Sequence, residues 1–437
     1  MGEYVEELCA QLIRFDTTNL GAGESRGERE AAEFVAAYLT DAGLTPVLVE
    51  RSPRRSNVLA RVAGSDPHLP PLLVHAHLDV VPADPATWTV PPFAGEIRDG
   101  FVWGRGAVDM KDMCATVLAV LRRWAVEGRG PRRDIVLAFV ADEEDNGLWG
   151  AHWLIDAHRE LFDGVGAAIG ESGGYTVHAT STAGEPVRLY PVATAERGTA
   201  HLKLTATGRA GHGSRRNDDN AVRTLVAAVQ RLAEHRWPVV LTPAVRAFFE
   251  RAGAALGIPV DLSSDDAVDE TLRRFGPAAK IAENTVRNST TPTVLEAGYK
   301  VNVIPGVAHA QIDTRVLPGT QDELLAEIDR LLGPGVTREF VANQPPVAAP
   351  VDSPWFTAMA AALSAEDPDA VVVPFCMGGG TDAKAFANLG IDCYGFSPLW
   401  LPEGFDHRVM AHGVDERVPV AGLRFGADVL DRFLSAV

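Results

Sequence analysis

The sequence predicts an α/β protein with parallel strands, interrupted by an inserted α+β domain. Two apolar runs, at residues 72–77 and 135–141, lie on either side of a helical pattern at 111–127. This strand, helix, strand order is typical of parallel strands in an α/β layer. Near residue 195 the order changes to strand, helix, strand, strand, helix, which favours a small α+β sandwich.

The elements of the first part of the chain follow from two periodicities of its apolar residues. Leu8 and Leu12 recur at helical spacing near the N-terminus, whereas the later β-rich runs are each bounded by glycine, proline or aspartate. The pattern predicts strands at Asn57–Val62, Leu72–His77 and Ile135–Ala141, and a helix at Lys111–Glu127.

The elements of the insert follow from the same two periodicities. Thr199–Thr207 alternates as a strand, Asn220–His235 has the spacing of a helix, and residues 293–314 are typical of two further strands. A last helix is predicted at Gln321–Leu332, and the acidic stretch Asp261–Arg274 is expected to be solvated.

Domain boundaries are placed where these patterns change. We assign residues 195–342 to the inserted domain, and residues 1–194 and 343–437 to the first and second parts of the larger domain. A chain of 437 residues is expected to hold at least two cores, because a single core stops growing near ~250–300 residues.

Composition excludes several classes of function. The formal net charge is −18 and the basic residues occur as isolated pairs, so nucleic acids and anionic membranes would be repelled. The four cysteines are scattered without a CxxC pair, which indicates neither a disulfide framework nor a cysteine zinc site. No apolar run approaches the ~18–20 residues of a membrane span, and the N-terminal segment lacks the features of a secretion signal. We therefore expect a cytoplasmic protein.

The richest local motif lies where the strand 72–77 ends. His77 and Asp79 are two residues apart, so both side chains can point to the same side of an extended chain. An imidazole oriented by a carboxylate is a common metal ligand. Taken alone, a histidine at a strand end is more often a hydrogen-bonded surface residue, so this motif by itself leaves both readings open.

Carboxylates and a late histidine follow other predicted elements. Asp109 stands in a glycine-flanked turn before a helix, where an N-cap is the alternative role. Four consecutive acidic residues, at 142–145, follow the strand 135–141, and Glu171 and His412 stand beside glycines. Strand ends are where active sites form in α/β sheets, and histidine with carboxylates and without cysteine is the pattern of a catalytic zinc site.

In their order along the chain, these motifs resemble the M20 metallopeptidases. That family contains glutamate carboxypeptidases, dipeptidases, aminoacylases, acetylornithine deacetylase and succinyl-diaminopimelate desuccinylase. The motifs in the larger domain are His77-Leu78-Asp79, Gly104-Arg105-Gly106, Asp109-Met110-Lys111, Asp142-Glu143-Glu144, Gly170-Glu171 and His412-Gly413 with Asp415-Glu416. Those in the insert are Arg197-Gly198, Gly211-His212-Gly213-Ser214, Asn302-Val303-Ile304-Pro305 and Asp313-Thr314-Arg315. The resemblance implies a zinc-peptidase-like catalytic domain with a mixed, mainly parallel sheet, and a lid and dimerisation domain in the insert.

The resemblance also implies the metal ligands. Asp109 would bridge two zinc ions, for which cobalt or manganese can substitute. His77 and Glu171 would complete one metal site, and Glu144 and His412 would complete the other.

Further roles are implied by the same resemblance. Glu143 would be the general base and acid for a water shared by the metal ions, and Asp79 would hold the His77 ring. His212, together with Asn302, would reach the active site of the other subunit in dimeric relatives, where His212 stabilises the oxyanion. A substrate carboxylate would be held by Arg197, Arg315, Gly380 and Thr381, although a structural ion pair is the alternative for the two arginines.

The expected function is zinc-dependent hydrolysis of the amide bond of a small peptide or N-acyl amino acid with a free carboxylate, by a homodimer. A biosynthetic deacylase of the acetylornithine or succinyl-diaminopimelate type is an alternative within the family. A non-catalytic binding protein that retains the fold is an alternative from another class. Loss of Glu143 or of a metal ligand would favour that last reading, and the sequence retains all of them.

Overall fold

The computed structural model describes residues 4–437, which form twelve α-helices and five β-sheets. The helices are α1 (Val5–Ile13), α2 (Arg29–Asp41), α3 (Lys111–Glu127), α4 (Ala151–Ala157), α5 (Ala221–Glu234), α6 (Pro243–Leu256), α7 (Asp265–Arg274), α8 (Gln321–Leu332), α9 (Pro354–Glu366), α10 (Ala383–Ala387), α11 (His407–Met410) and α12 (Val420–Ala436). The strands are β1 (Asn19–Gly21), β2 (Glu24–Ser25), β3 (Val47–Ser52), β4 (Arg55–Val62), β5 (Leu72–His77), β6 (Glu96–Arg98), β7 (Phe101–Trp103), β8 (Ile135–Val140), β9 (Ala167–Gly170), β10 (Val177–Thr180), β11 (Pro186–Glu196), β12 (Gly198–Thr207), β13 (Gly211–His212), β14 (Ser289–Ala297), β15 (Val303–Ile304), β16 (Val307–Val316), β17 (Val336–Gln344), β18 (Val347–Ala348), β19 (Ala370–Met377), β20 (Asp392–Gly395) and β21 (Arg417–Pro419).

The largest sheet has ten strands and is mixed. Eight of its strands lie in the order β10-β11-β20-β9-β5-β8-β4-β3. The other two, β18 and β19, each pair with β11. The centre is parallel, since β5 pairs in parallel with both β8 and β9, and β9 does so with β20. Antiparallel pairs, such as β4 with β8 and β10 with β11, lie towards both edges. The predicted α/β fold with a mixed sheet is confirmed, with its parallel part at the centre.

Helices cover both faces of this sheet. Alternate residues of β5 point to opposite faces: Leu72 and Val74 belong to a core shared with α1, α3 and α12, whereas Leu73 packs on the other side with α4 and α10. Strands covered on both faces are expected to be continuously apolar, and every residue of β5 and β8 is buried.

A separate four-stranded antiparallel sheet lies within the predicted insert. Its order is β14-β16-β12-β17. One face carries α5 and α8, and alternate residues of β12, such as Leu202 and Leu204, pack with Leu225 and Ile328 of these helices. The predicted strands and helices of this region are confirmed, and α8 has the predicted bounds.

Two helices between α5 and β14 depart from the expected order of elements. Phe248 and Phe249 of α6 pack on the large sheet with Phe375 of β19, not on the small sheet. The acidic stretch at 261–274 was expected to be solvated, and this is wrong for one side of it, because α7 buries Val268 and Leu272. The domain boundaries themselves stay a prediction.

None of the helices formed by residues 4–437 has the length and apolar character needed to cross a bilayer.

Candidate active site

Three adjacent parallel strands end at one edge of the large sheet, and a potential metal ligand stands at or beyond each end. β5 ends on His77, β8 runs into the acidic turn 142–145, and β9 is followed by Glu171. Asp109 approaches from the turn before α3, and His412 from the loop after α11. The carboxyl ends of strands are where open α/β sheets bind ligands.

The side chain of Asp109 lies between the two histidines and contacts both. Its Oδ1 is 3.0 Å from Nε2 of His77, and its Oδ2 is 3.1 Å from Nε2 of His412. The same His412 nitrogen is 3.0 Å from Oε2 of Glu144, while Nε2 of His77 is 3.9 Å from Oε2 of Glu171. The structure therefore brings all five predicted ligands together, and we call these five residues the ligand cluster. Each Asp109 oxygen faces a different histidine.

This set of donor atoms fits divalent metal ions. Ligand atoms of His77, Asp109 and Glu144 lie within 4.8 Å of one another, and so do those of His77, Glu143 and Glu171. Imidazole nitrogen and carboxylate oxygen are the ligands of catalytic zinc sites. Oε1 of Glu144 is buried without a hydrogen-bond partner among residues 4–437, as expected of an atom that binds an ion. The second group contains Glu143, so the distances are compatible with Glu143 as a ligand as well as a base.

Burial and repulsion between carboxylates perturb the protonation of this cluster. Burial raises the pKa of Glu143 well above its ordinary value, and the charge of Glu171 adds to the effect. Hydrogen bonds to Asp109 and Glu144 raise the pKa of His412 to about 10. Carboxylates crowded in a buried space require positive charge nearby, which divalent cations supply.

Asp79 positions both the first histidine and the acidic turn. Nδ1 of His77 donates to the main-chain carbonyl of Asp79 at 3.0 Å and lies 3.6 Å from its carboxylate. A hydrogen on Nδ1 leaves Nε2 available to a metal ion. The Asp79 carboxylate accepts the backbone N–H groups of Glu143 and Glu144 at 3.1 and 3.2 Å. This second contact fixes the two glutamates relative to His77, and the sequence motif does not reveal it.

A buried ion-pair network supports the acidic turn. Nη2 of Arg55 is 2.6 Å from Oδ1 of Asp142, and Nε of Arg55 is 3.1 Å from Glu28. Asn19 donates to both Asp79 and Asp142, at 2.9 and 3.1 Å. Asp142 has a φ of 70°, a conformation that costs energy outside glycine and requires support from its surroundings. Sequence reasoning missed Arg55, Glu28 and Asn19, which lie far from the acidic turn along the chain.

Replacing Arg55 with methionine is expected to lower the free energy of unfolding by about 3 kcal/mol, because it leaves two buried carboxylates without their cation. Burial raises the pKa of Glu28 to about 8 even beside Arg55, and without the cation this pKa would rise further, so the loss should be greater at about pH 9 than at about pH 7. Urea denaturation followed by tryptophan fluorescence measures the effect. Arg61→Met removes the half-exposed arginine of an ion pair with Asp134 and, as the control, should cost less than about 1 kcal/mol. Equal losses in both variants would contradict the supporting role of Arg55.

The turn before α3 and the loop after α11 are joined by Glu416. This buried carboxylate accepts from Nη1 of Arg105 at 2.6 Å and from the backbone N–H groups of Gly106 and Val108 at 3.0 and 2.8 Å. Arg105 also donates to the carbonyl of His412 at 3.3 Å. Glu416 thus joins the turn that carries Asp109 to the loop that carries His412.

The two predicted carboxylate-binding arginines have different surroundings. Arg315 is paired with Asp313, since its Nε and Nη2 donate to the two carboxylate oxygens at 2.7 and 3.0 Å. Arg197 donates to the carbonyl of Gly378 and to the hydroxyl of Ser289, each at 3.2 Å. The structural ion pair that was the alternative reading is therefore present for Arg315, whereas Arg197 is held by neutral acceptors.

His212 and Asn302 lie together on an exposed two-stranded ribbon. β13 pairs with β15, and the backbone N–H of Gly213 donates to the carbonyl of Asn302 at 2.9 Å. Within residues 4–437, the side-chain hydrogen bonds of His212 are with Ser214. A single chain therefore does not bring these two residues into contact with the carboxylate cluster.

Two cavities of different character border the ligand cluster, and each contacts different members of it. One, of about 440 Å³, contains Asp109 and Glu171 and has apolar walls that include Met110, Ile281 and Phe375. The other, of about 300 Å³, is polar, and its lining residues are Glu143, Glu144, Asn146, His152, Thr199, His201, Arg315, Ala342, Gln344, Gly380, Thr381, Asp382, Lys384 and His412. The site can thus receive a ligand with one apolar and one anionic half.

The chain is similar in sequence and in fold to known proteins. The model of "Peptidase family M20/M25/M40" matches residues 73–436. The N-fatty-acyl-amino acid synthase/hydrolase PM20D1 of Xenopus tropicalis is 31% identical over 82% of this chain and 71% of its own. Aminoacylase-1 of Sus scrofa is 29% identical over 93% of this chain and 89% of its own. The crystal structure of the M20 family metallo-carboxypeptidase Sso-CP2 from Sulfolobus solfataricus covers 99% of both chains with a TM-score of 0.71 and 18% identity.

Proposed function

The chain belongs to peptidase family M20/M25/M40, and from this premise we propose that it uses two divalent metal ions, zinc in the first instance, to hydrolyse the amide bond of an N-acyl amino acid with a free carboxylate. Its family makes it a hydrolase of the peptide or N-acyl amino acid type. The finer proposal is supported by the two cavities that border the ligand cluster, one with apolar walls and one with a polar lining.

The metal ions would be held by the residues around Asp109. His77 and Glu171 face one side of its carboxylate, and Glu144 and His412 face the other. Bound divalent cations polarise a carbonyl group and lower the pKa of water. The borderline imidazole and hard carboxylate donors suit zinc, cobalt or manganese.

Glu143 is the proposed general base and acid. Its backbone is fixed by Asp79 at 3.1 Å, and its carboxyl group faces the cluster beside Glu171. Burial raises its pKa well above the ordinary value, which suits a group that accepts a proton from water and passes it to a leaving nitrogen. Glu143 would remove the proton as the water attacks the carbonyl, and then protonate the departing amino group.

The two cavities suggest the orientation of the substrate. Apolar walls at Met110, Ile281 and Phe375 suit an acyl chain, because burying apolar surface stabilises the complex by roughly 25 cal/mol per Å² before the costs of association. The lining of the other cavity is polar and includes Arg315, Thr381 and Lys384, so this cavity suits the amino-acid half of the substrate. The scissile amide would then lie across the ligand cluster.

A mass-spectrometric hydrolysis screen tests this function. Zinc-loaded and cobalt-loaded protein would be incubated with dipeptides and with N-acetyl, N-succinyl and longer N-acyl amino acids, with Glu143→Ala as the inactive control. We expect cleavage of N-acyl amino acids with apolar acyl chains. Cleavage confined to N-acetylornithine or N-succinyl-diaminopimelate would instead favour a biosynthetic deacylase, and no cleavage by protein with two bound ions would favour the non-catalytic reading.

A homodimer in which His212 completes the neighbouring site is proposed on the same basis. The side chain of His212 is exposed, and so are Tyr299 and Val301 beside it on the ribbon loop. Exposed apolar side chains grouped on one surface are typical of an interface. The exposed position of His212 within one chain is compatible with its action at a second subunit.

Subunit mixing is expected to rescue activity. His212→Ala and Glu143→Ala are each expected to be inactive alone, whereas an exchanged heterodimer combines an intact Glu143 site with an intact His212 from its neighbour. A random mixture should recover roughly a quarter of the wild-type rate, because half of the dimers are mixed and each has one complete site. Activity assays after exchange, with dimer formation followed by light scattering, measure this. No recovery in exchanging dimers would mean that each site uses its own histidine.

A further inference from the structure

Lys384 is a buried cation without a partner at the edge of the active site. It lies on α10, its side chain is 3% exposed, and it lines the polar cavity beside Glu143, Glu144 and His412. Its Nζ has no hydrogen-bond acceptor among residues 4–437. Buried charges in proteins are normally paired, because removing a charge from water without compensation is unfavourable. An ammonium left in this state at a ligand-sized cavity points to an anion that binds there.

The charged groups near Lys384 in the described part of the chain form no hydrogen bond with its ammonium. Glu196 exerts the largest charge effect on Lys384, but its two oxygens accept the backbone N–H and the hydroxyl of Thr381 at 3.1 and 2.7 Å. The guanidinium of Arg315, in the same cavity, is neutralised by Asp313. Glu143, Glu144 and Asp382 also line this cavity, and among residues 4–437 none of them forms a hydrogen bond with Lys384. Lys384 therefore contributes to this cavity an ammonium group whose hydrogen bonds are not taken up by any of these carboxylates.

The backbone of the preceding turn makes room for the ammonium. A Cβ at position 380 would overlap Nζ of Lys384 and crowd its Cε. Gly380 is exposed and lines the cavity, so the absence of a side chain at this position leaves the room that Nζ occupies. The ammonium of Lys384 thus packs against Gly380 at the polar cavity, where the amino-acid half of the substrate is proposed to bind.

We propose that Lys384 binds the α-carboxylate of the substrate as its ion-pair partner, with the carboxylate in the polar cavity and the scissile amide directed towards Glu143. The proposal rests on the proposed function, which supplies a substrate with a free carboxylate. Lys384 would then be a specificity residue: it would favour binding of substrates with a free carboxylate over the corresponding neutral carboxamides.

Calorimetric binding tests this role without turnover. Zinc-loaded Glu143→Ala protein would be titrated with a panel of N-acyl amino acids and with the matching N-acyl amino acid carboxamides, which differ in charge but hardly in shape. The same titrations would be made with two double variants, in which Glu143→Ala is combined with Lys384→Met or with Lys384→Gln. Lys203→Met is the matched control, because Lys203 pairs with Glu339 on the small sheet and its loss changes the net charge equally.

We expect the carboxylate to bind about 10- to 100-fold more tightly than the carboxamide when Lys384 is present, the range of a hydrogen bond to a charged group. Both Lys384 variants should lose most of this preference by weakening carboxylate binding alone, while Lys203→Met keeps it. A preference that survives both variants would overturn the proposal, as would equal loss for carboxylate and carboxamide or no preference at the start. Failure of the proposed function would give a different result. The wild-type protein would then bind carboxylates through Lys384 but hydrolyse no member of the panel.

Discussion

Replacing Asp109 with alanine is expected to reduce both metal binding and turnover to background. Each of its carboxylate oxygens faces a different histidine, at 3.0 Å from His77 and 3.1 Å from His412, so this one side chain joins the two proposed metal positions. A bound ion supplies several kcal/mol of transition-state stabilisation, and kcat/KM should therefore fall by at least about 1000-fold. Removing a buried carboxylate from a repulsive acidic cluster is not expected to unfold the protein.

Metal content and kinetics, measured on the same preparation, test this expectation. Mass spectrometry of dialysed protein should give two ions per wild-type chain and fewer in Asp109→Ala. Chelation of the wild type should reproduce the inactivity of the variant, and added zinc or cobalt should restore the wild type alone. Asp369→Ala, which removes a strongly exposed aspartate, is the control. A variant that keeps two ions and activity within tenfold of the wild type would exclude Asp109 as the bridge.

Much of the fold could be predicted where local signals agree with tertiary packing. α3 begins and ends at the predicted residues because its apolar spacing is continuous and because Gly128, at a φ of 67°, ends the helix in the left-handed conformation. β5 also has its predicted bounds, since it is buried on both faces and its apolar run is uninterrupted.

The segment 261–274 contains a helix that its many charged residues made difficult to predict. Ser264 accepts the backbone N–H of Ala267 as an N-cap, acidic residues fill the first turn and arginines the last, which are the usual helix-end signals. Val268 and Leu272 are four residues apart and form one buried stripe. The sequence therefore carried the signal, but its many charges favoured the interpretation of a solvated stretch.

The candidate site could be predicted as a set of ligands but not as a supported structure. His77, Asp109, Glu144, Glu171 and His412 stand in motifs whose order along the chain is informative. Arg55 stands in no such motif, and its role depends on contacts with Glu28 and Asp142, which lie far away in sequence. A buried network of this kind becomes visible only when the strands that carry its members are paired in space.

Replacing Glu143 with alanine is expected to lower kcat by about 10²- to 10⁴-fold, the usual contribution of a general acid or base, while two metal ions remain bound. The expectation follows from how the acidic turn is built. Asp79 holds the backbone N–H groups of both Glu143 and Glu144, so the position of Glu144 does not depend on the neighbouring side chain. KM should change little, because the carboxylate and the acyl chain of the substrate are proposed to lie in the two cavities that border the ligand cluster.

Asp145→Ala is the matched control for this variant, because it removes another carboxylate of the same turn. Asp145 accepts the backbone N–H of Gly23 at 3.0 Å and belongs to neither group of potential ligands, so its loss should leave kcat within tenfold. The distance of 4.0 Å between Glu143 and His77 also gives the experiment a second informative result. If Glu143→Ala lost a metal ion together with activity, Glu143 would be a ligand and the proton would have to be carried by another group. If activity fell and both ions stayed, the proton-transfer role would follow, because the removed carboxylate would then be the only part of the metal-loaded site that had changed.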